Sequence, residues 1–282
     1  MKKFVKLNLA FSILITLFSC GEEELKPTVD FIVDQPTILM GDEIAFTDLS
    51  KNNPTSWFWN FGDDTTSTLQ NPTHIYKFAG NYSVYLLVEN ETGADYITKD
   101  EYITVTQETG TLTDSRDNKT YKTIKIGDQW WMAENLNYNL DGSTAYQLEE
   151  ENAEIYGRLY HHSTAQLACP EGWHIPSKNE FEILLNYMGK DPGSKMKAIS
   201  NLWVIPAHTN AINNNLSRFN ALPGGYYDGL FQSKGEYAYF MTSTIDNTTN
   251  RPIHFKLINW NNKALLEDYG EEYYFSVRCI KD

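Results

Sequence analysis

Basic residues are scarce in this chain: 23 lysines and arginines stand against 37 aspartates and glutamates in 282 residues, a formal net charge of -14. A surface of that sign repels phosphate backbones, which sets nucleic acid aside as a partner. The six histidines include no pair at the HExxH spacing that holds zinc on a helix. His161 and His162 are adjacent, so on a strand they point to opposite faces and do not share a metal. A GxSxG elbow, a Walker loop and a GxGxxG turn are all missing. Nothing singles out two of the 37 carboxylates as a glycosidase pair, so no catalytic residue is assigned and the chain reads as a non-enzyme. Cysteine occurs three times, as Cys20, Cys169 and Cys279. The mostly apolar run from Leu7 to Phe18 is too short to span a bilayer.

What is present suits folded, exported domains. Hydrophobic residues make up 41% and aromatic residues 14%, against 21% charged, which excludes a disordered chain. A length of 282 residues predicts two domains. Lys2, Lys3 and Lys6, the apolar run and then Ser19 give residues 1–19 the layout of a secretory signal. Leu17-Phe18-Ser19-Cys20 resembles the bacterial lipobox, which implies that Cys20 is lipidated and becomes the N-terminus. Residues 20–26 read as an acidic tether, and Gly21-Glu22-Glu23-Glu24 resembles the surface-export signal of Bacteroidetes lipoproteins. The expected address is therefore the outer membrane, lipid-anchored through Cys20 and exposed at the cell surface.

Residues 27–106 show short runs of period 2 separated by turn residues. Phe31 with Val33, and Ile44 with Phe46, occupy alternate positions. Trp57, Trp59 and Phe61 share one face, and so do Tyr82, Val84, Leu86 and Val88. Gly62-Asp63-Asp64, Asn71-Pro72 and Ala79-Gly80-Asn81 supply turns. Trp57 to Asp64 resembles the WDFGDG signature of PKD domains, and Asn71 to Tyr76 with Gly80 to Val84 resembles their NPxHxY and GxYxVxL segments. That resemblance implies an Ig-like β-sandwich acting as a spacer or interaction module, with His74 structural. Asp63 and Asp64 are a candidate calcium pair, although turn formation explains them as well. Gln107 to Thr111 is polar with one glycine, and residues 107–112 read as a linker.

Residues 113–282 form the second expected domain. Asp117-Asn118 suits a tight turn, Ile124 and Ile126 alternate with lysines, and Gly127-Asp128 suits a second turn, so a hairpin is predicted. Trp130 and Trp131 read as core. Ser177 followed by Glu180 is a capping-box pattern, and Phe181, Leu184, Leu185 and Met188 recur on one helical face before Gly189 and Pro192 end it. From about Asn201 to Asn262 little regular pattern is visible.

The hairpin segment, Cys169-Pro170-Glu171-Gly172-Trp173-His174-Ile175-Pro176-Ser177, Ala221 to Tyr226 and Ser276-Val277-Arg278-Cys279 together resemble the Fibrobacter succinogenes major paralogous domain, with Asn118 replacing the usual glycine. The same layout resembles, more distantly, a C-type lectin-like fold. The expected architecture is thus mainly β with α+β character, an Ig-like sandwich followed by a lectin-like α+β domain. The resemblance implies a Cys169 to Cys279 disulfide, worth on the order of 4 to 5 kcal/mol for a loop of about a hundred residues. It also implies ligand-facing loops where the pattern is irregular. Tyr226, Tyr227, Phe231, Tyr237, Tyr239 and Phe240 are candidates for stacking on sugar rings, with Asp228 bonding hydroxyls; strand and core packing of Tyr237, Tyr239 and Phe240 is the alternative. Trp260-Asn261-Asn262 resembles the WND motif of C-type lectins, but its aspartate and the upstream triplet are missing. A strand tryptophan followed by a turn explains it equally well, so no calcium site is assigned there, and Trp260 joins Tyr226, Tyr227 and Asp228 as a candidate ligand-binding residue. Formylglycine-generating oxidases share a lectin-like core but need a cysteine pair that the bridge here would consume. The expected function is non-covalent binding of a glycan or a surface protein without a cofactor, the alternatives being a structural role and, further off, a carbohydrate-active enzyme.

Overall fold

The computed structural model describes residues 25–282. The signal segment 1–19, the lipidation site Cys20 and the glutamates 22–24 of the tether lie outside the described residues. The last tether residues belong to the first domain, contrary to the sequence reading. Asn90 donates to the Leu25 carbonyl at 2.8 Å, Asn52 donates to the Lys26 carbonyl at 2.8 Å, and Thr28 bridges to Lys51.

Alternating apolar residues make the first domain a two-sheet sandwich. One sheet joins Phe31–Val33, Glu43–Asp48 and Thr73–Ile75; the other runs Thr37–Leu39, Gly93–Thr106, Gly80–Asn90, Ser56–Asn60 and Thr66–Ser67. Between them Phe31, Ile44, Phe46, Trp59, Phe61, Val84, Leu86 and Val88 are buried, with Trp57 and Tyr82 packed at the margin. His74 stacks on Phe61 with centroids 4.2 Å apart and bonds Asp63 at 2.8 Å. Thr65 donates to the other Asp63 oxygen. Asp63 therefore closes its turn with its own neighbours.

The reading of residues 107–112 as a linker is corrected. Thr109–Thr113 is a strand, paired antiparallel with Thr120–Ile126 through Tyr121 opposite Leu112. Gln107 is buried and donates to the carbonyls of Lys125 and Ser217, at 3.1 and 3.0 Å. The segment is polar because its side chains edge a sheet and its backbone is paired; composition alone does not distinguish that from a connector. The turn at Asp117-Asn118 forms, and Asn118 takes the left-handed conformation, φ 62°, that glycine would otherwise supply.

Two sheets build the second domain. The first is ordered Trp173–His174, Ile280–Lys281, Gln129–Met132, Thr120–Ile126 and Thr109–Thr113. The path of the second is Ser143–Thr144, Leu159–His161, Tyr274–Ser276, Tyr237–Ile245, Pro252–Ile258 and Ala264–Asp268, with Tyr226–Tyr227 and Phe231–Gln232 attached. The helix Lys178–Met188 packs on this framework through Phe181, Leu184 and Met188. Its entry is the expected capping box, Ser177 with Glu180, and Gly189 caps its end at φ 63°. Pro192 opens the next short helix, Pro192–Met196. The disulfide links Cys169 to Cys279, next to the last strand.

The reading of 201–262 as ligand-facing loops is also corrected, in favour of the alternative that sets Tyr237 and Tyr239 on a strand and Phe240 in the core. Tyr237–Ile245 and Pro252–Ile258 are strands inside the second sheet, and every residue of Pro252–Ile258 is buried. A strand covered on both faces shows no alternation. Here His254 and Lys256 interrupt the apolar run besides, so the sequence reads as irregular.

The domains touch. The Tyr187 hydroxyl donates to the Lys77 carbonyl at 2.9 Å, the Phe78 ring meets Tyr187 edge-on at 6.2 Å, and Lys195 lies 5.0 Å over Phe78.

Candidate functional site: a half-buried tyrosine face

Strand alternation sorts the aromatic residues of the second sheet. Along Tyr237–Ile245, Tyr237 and Tyr239 fall on one face while Phe240 falls on the other, fully buried against Phe219 and Phe255. On the neighbouring chain segment Tyr273 and Phe275 take the face of Tyr239, and Tyr274 the opposite one. Tyr226 joins the first group and Tyr227 the second, as consecutive strand residues must.

The result is a continuous aromatic layer. Tyr226 meets Tyr239 edge-on at 5.5 Å, Tyr239 stacks on Phe275 at 4.6 Å and on Tyr237 at 5.5 Å, and Tyr237 meets the Trp260 ring edge-on at 5.2 Å. Tyr239 and Phe275 are buried at its floor, whereas Tyr226, Tyr237, Tyr269 and Tyr273 are half-buried. Trp260 is 41% exposed at one end. Trp260 sits in the turn between Pro252–Ile258 and Ala264–Asp268, which corrects its placement on a strand.

Charged and polar groups are set into the layer. Lys256 pairs with Glu267 and donates to the Tyr269 hydroxyl at 3.0 Å, and that hydroxyl donates to Glu267 at 2.9 Å. The Lys256 ammonium also lies 5.7 to 5.9 Å from the centroids of Tyr237, Tyr239 and Tyr269. Burial pushes the Glu267 carboxyl up, but its bonds from Lys256 and Tyr269 prevail and hold it below the usual carboxylate range. Burial raises the Tyr269 hydroxyl to about 12 and the Tyr239 hydroxyl further, so both stay protonated donors. At the other end Gln232 donates to both Asp228 oxygens, at 2.8 and 2.9 Å, and accepts from Tyr226 at 3.2 Å. Gly225 makes this turn: it has φ 66°, and a Cβ there would collide with the Gln232 carbonyl.

Of the residues expected to bind ligand, Tyr226, Asp228 and Trp260 are brought to this layer, directly or through Gln232. Tyr227 is not; it packs on Phe231 at 4.7 Å and Tyr274 at 5.2 Å, on the other side of its strand. Phe240 is core, which removes it as a stacking residue. Sequence reasoning missed Lys256, Glu267, Tyr269, Tyr273 and Phe275. Tyr273, Phe275 and Val277 do alternate, a period-2 signal that was available; Lys256 gave none, being a charge within a buried strand. Among the described residues no group of three or more histidine, cysteine or acidic side chains is placed to hold a metal, and no helix is long and apolar enough to cross a membrane.

Comparison with protein families matches residues 124–281 to the Fibrobacter succinogenes major domain and residues 25–105 to the PKD domain. The first domain is thus a PKD domain. Among curated proteins the chain is similar to Collagenase ColQ1 of Bacillus cereus (strain Q1), 30% identical over 174 residues, which are 61% of this chain and 15% of the collagenase. The chain therefore spans only a small part of that relative. Among solved structures it is similar to the PKD1 domain of Vibrio anguillarum Epp, with 24% identity over 30% of this chain and 100% of that one, TM-score 0.26. The PKD1 domain from Vibrio cholerae metalloprotease PrtV is 30% identical over 29% of this chain and 98% of that one, TM-score 0.25.

Proposed function

Since the chain belongs to the Fibrobacter succinogenes major domain family and carries a PKD domain ahead of that domain, we propose that it is a lipid-anchored, non-enzymatic surface protein whose second domain binds a glycan on its tyrosine face. The observation that carries this is the aromatic layer from Tyr226 to Trp260, half-open to solvent and edged by Asp228 with Gln232 at one end and Glu267 with Lys256 near the other. Aromatic rings give apolar contact area at little entropic cost, and the polar groups beside them suit hydroxyls. A contiguous aromatic layer left partly open and rimmed by polar groups is the kind of patch that marks an interaction site.

In this reading the second domain is C-type lectin-like. The bridge from the helix entry to the end of the chain and the helix packed beside it support that description. The PKD domain is the spacer, and Cys20 with Glu22, Glu23 and Glu24 fixes the protein to the outer membrane at the cell surface. The collagenase activity named for the Bacillus relative stays with that protein.

Binding of the protein to a panel of neutral polysaccharides tests the proposal. Saturable binding is expected, weakened at least about tenfold by Tyr226→Ala or Trp260→Ala, the loss typical of a buried aromatic contact. Absence of binding across the panel, or binding indifferent to both substitutions, refutes the glycan site and leaves a surface-protein partner. Separately, Cys20→Ala is expected to abolish incorporation of a fatty-acid probe; retained label refutes the anchor.

A further inference from the structure

Two cavities of about 320 and 340 Å³ meet on the second domain, sharing Ala133, Glu134 and Asn220, and so form one groove. Each is within the ~300–1,000 Å³ range of small-molecule sites. The groove is separate from the tyrosine face. Arg278, which lines it, packs on the rings of Phe219 and Phe240, the side of the strand opposite Tyr239.

Its charge runs against that of the whole chain. Lys119, Lys122, Arg218 and Arg278 line the groove with only Glu134 and Glu154 opposing them. Lys119 lies 3.8 Å from Glu154 and donates to the Asn137 carbonyl. Lys122 and Arg218 are exposed, and neither is in an ion pair among the described residues. Arg278 is 1% exposed and bonds only neutral acceptors: the Asn135 side-chain oxygen and the carbonyls of Phe219 and Asn220. A buried cation is ordinarily paired with an acid. Burial without such a partner pushes this guanidinium down to about 9, with Glu134 alone pulling it back. Asn137 adds a second open valence. It is 7% exposed and lines the groove, its amide nitrogen bonds Glu154 at 3.0 Å, and its side-chain oxygen has no hydrogen-bond partner. Buried acceptors are almost always satisfied, so this one fits a donor brought from outside.

A ligand that suits the exposed cations Lys122 and Arg218 and the open Asn137 acceptor carries a carboxylate and hydroxyl donors together. We propose that the groove is a second binding site, for an acidic glycan of the uronate class, with its carboxylate held by the exposed Lys122 and Arg218 and a hydroxyl donating to Asn137. The lining amides of Asn135, Asn215 and Asn220 give further partners for ring hydroxyls. Lys122 and Arg218 act through charge, so binding weakens as salt rises.

Titration of the protein with a polygalacturonate oligosaccharide and with its methyl ester tests this. The uronate is expected to bind, the ester at least about tenfold more weakly, and the double variant Lys122→Ala/Arg218→Ala is expected to lose at least tenfold for the uronate. Both substituted residues are exposed, so folding is not at stake. No uronate binding at low salt, equal binding of the ester, or an unchanged double variant overturns the proposal. Loss of uronate binding in Tyr226→Ala would move the uronate to the tyrosine face and overturn the assignment of this groove. If a poly-glutamate peptide competes equally and fails equally on the double variant, the groove reads an acidic protein and the glycan class is wrong.

Discussion

His254 lies fully buried in the strand Pro252–Ile258 with neither ring nitrogen hydrogen-bonded, its ring 4.5 Å from Phe275 and 6.4 Å from His162. Burial, then the nearby His162, pushes it down from 6.5 to about 3. The native state therefore excludes a proton that the unfolded chain accepts. Its contribution to stability is complete above pH 6.5 and is lost as the pH falls from there toward 3. Between pH 7 and 4.5 the wild-type protein is expected to lose ~2–3 kcal/mol more than His254→Phe, measured by urea unfolding at both values. His174 behaves in the opposite sense. Burial opposes its charge, but the carboxylates of Asp282 and Glu180, at 2.6 and 2.8 Å, prevail and raise it above 6.5. The stability it adds is present below pH 6.5 and is lost as the pH rises through its folded value, so replacing it with glutamine is expected to flatten stability there. A slope unchanged in His174→Gln would refute that role. The sequence placed His174 within a motif and passed over His254, because an imidazole in a strand reads as a polar break until its burial is seen.

At the scale of elements, the helix Lys178–Met188 was fully readable. Its start is written as Ser177 and Glu180, its face as Phe181, Leu184 and Met188, and its stop as Gly189, all of which are local signals. The Ser177 hydroxyl accepts from the Glu180 amide at 3.2 Å and the Glu180 carboxylate accepts from the Ser177 amide at 2.7 Å. Ser177→Ala is expected to cost about 1 kcal/mol, seen as a lower thermal midpoint, and an unaltered midpoint would show the cap to be dispensable. Of the strands on either side of the loop at 246–251, Tyr237–Ile245 was legible only as the alternative that set Tyr237 and Tyr239 on one strand face, and Pro252–Ile258 was not legible. Along Tyr237–Ile245 the alternation is blurred because Tyr237, Tyr239 and Met241 on one face and Ala238 and Phe240 on the other are all apolar enough to mask a period of 2. Thr109–Thr113 hides behind its small polar residues, and only its pairing with Thr120–Ile126 identifies it.

For the whole molecule, one covalent link and one contact set the architecture. Cys169 and Cys279 close a loop with a sequence separation of 110 and tie the helix entry to the end of the chain. Cys279→Ser is expected to lower stability by on the order of 4 to 5 kcal/mol, less any strain released, and a melting temperature unaffected by the change or by reductant would show the bridge to be idle. Between domains, the buried Gln107 and the Tyr187 contact with Lys77 and Phe78 hold the sandwich against the second domain. Nothing in the composition of residues 107–112 announced that contact.

The sequence by itself determined the features that depend on near neighbours along the chain: the alternation of the sandwich, the capped helix and the turns at Asn118 and Gly127. It also carried the motifs by which the two families are identified. Tertiary structure alone decided which face each tyrosine takes and that Tyr226 and Tyr227 part company. It also decided that Arg278 is buried without an acid beside it and that His254 is shut from water. Those properties belong to pairs of residues far apart in sequence, such as Arg278 with Asn135 or Tyr226 with Tyr239. Burial and pairing arise only when sheets close on one another, and a local pattern carries no record of what will face it.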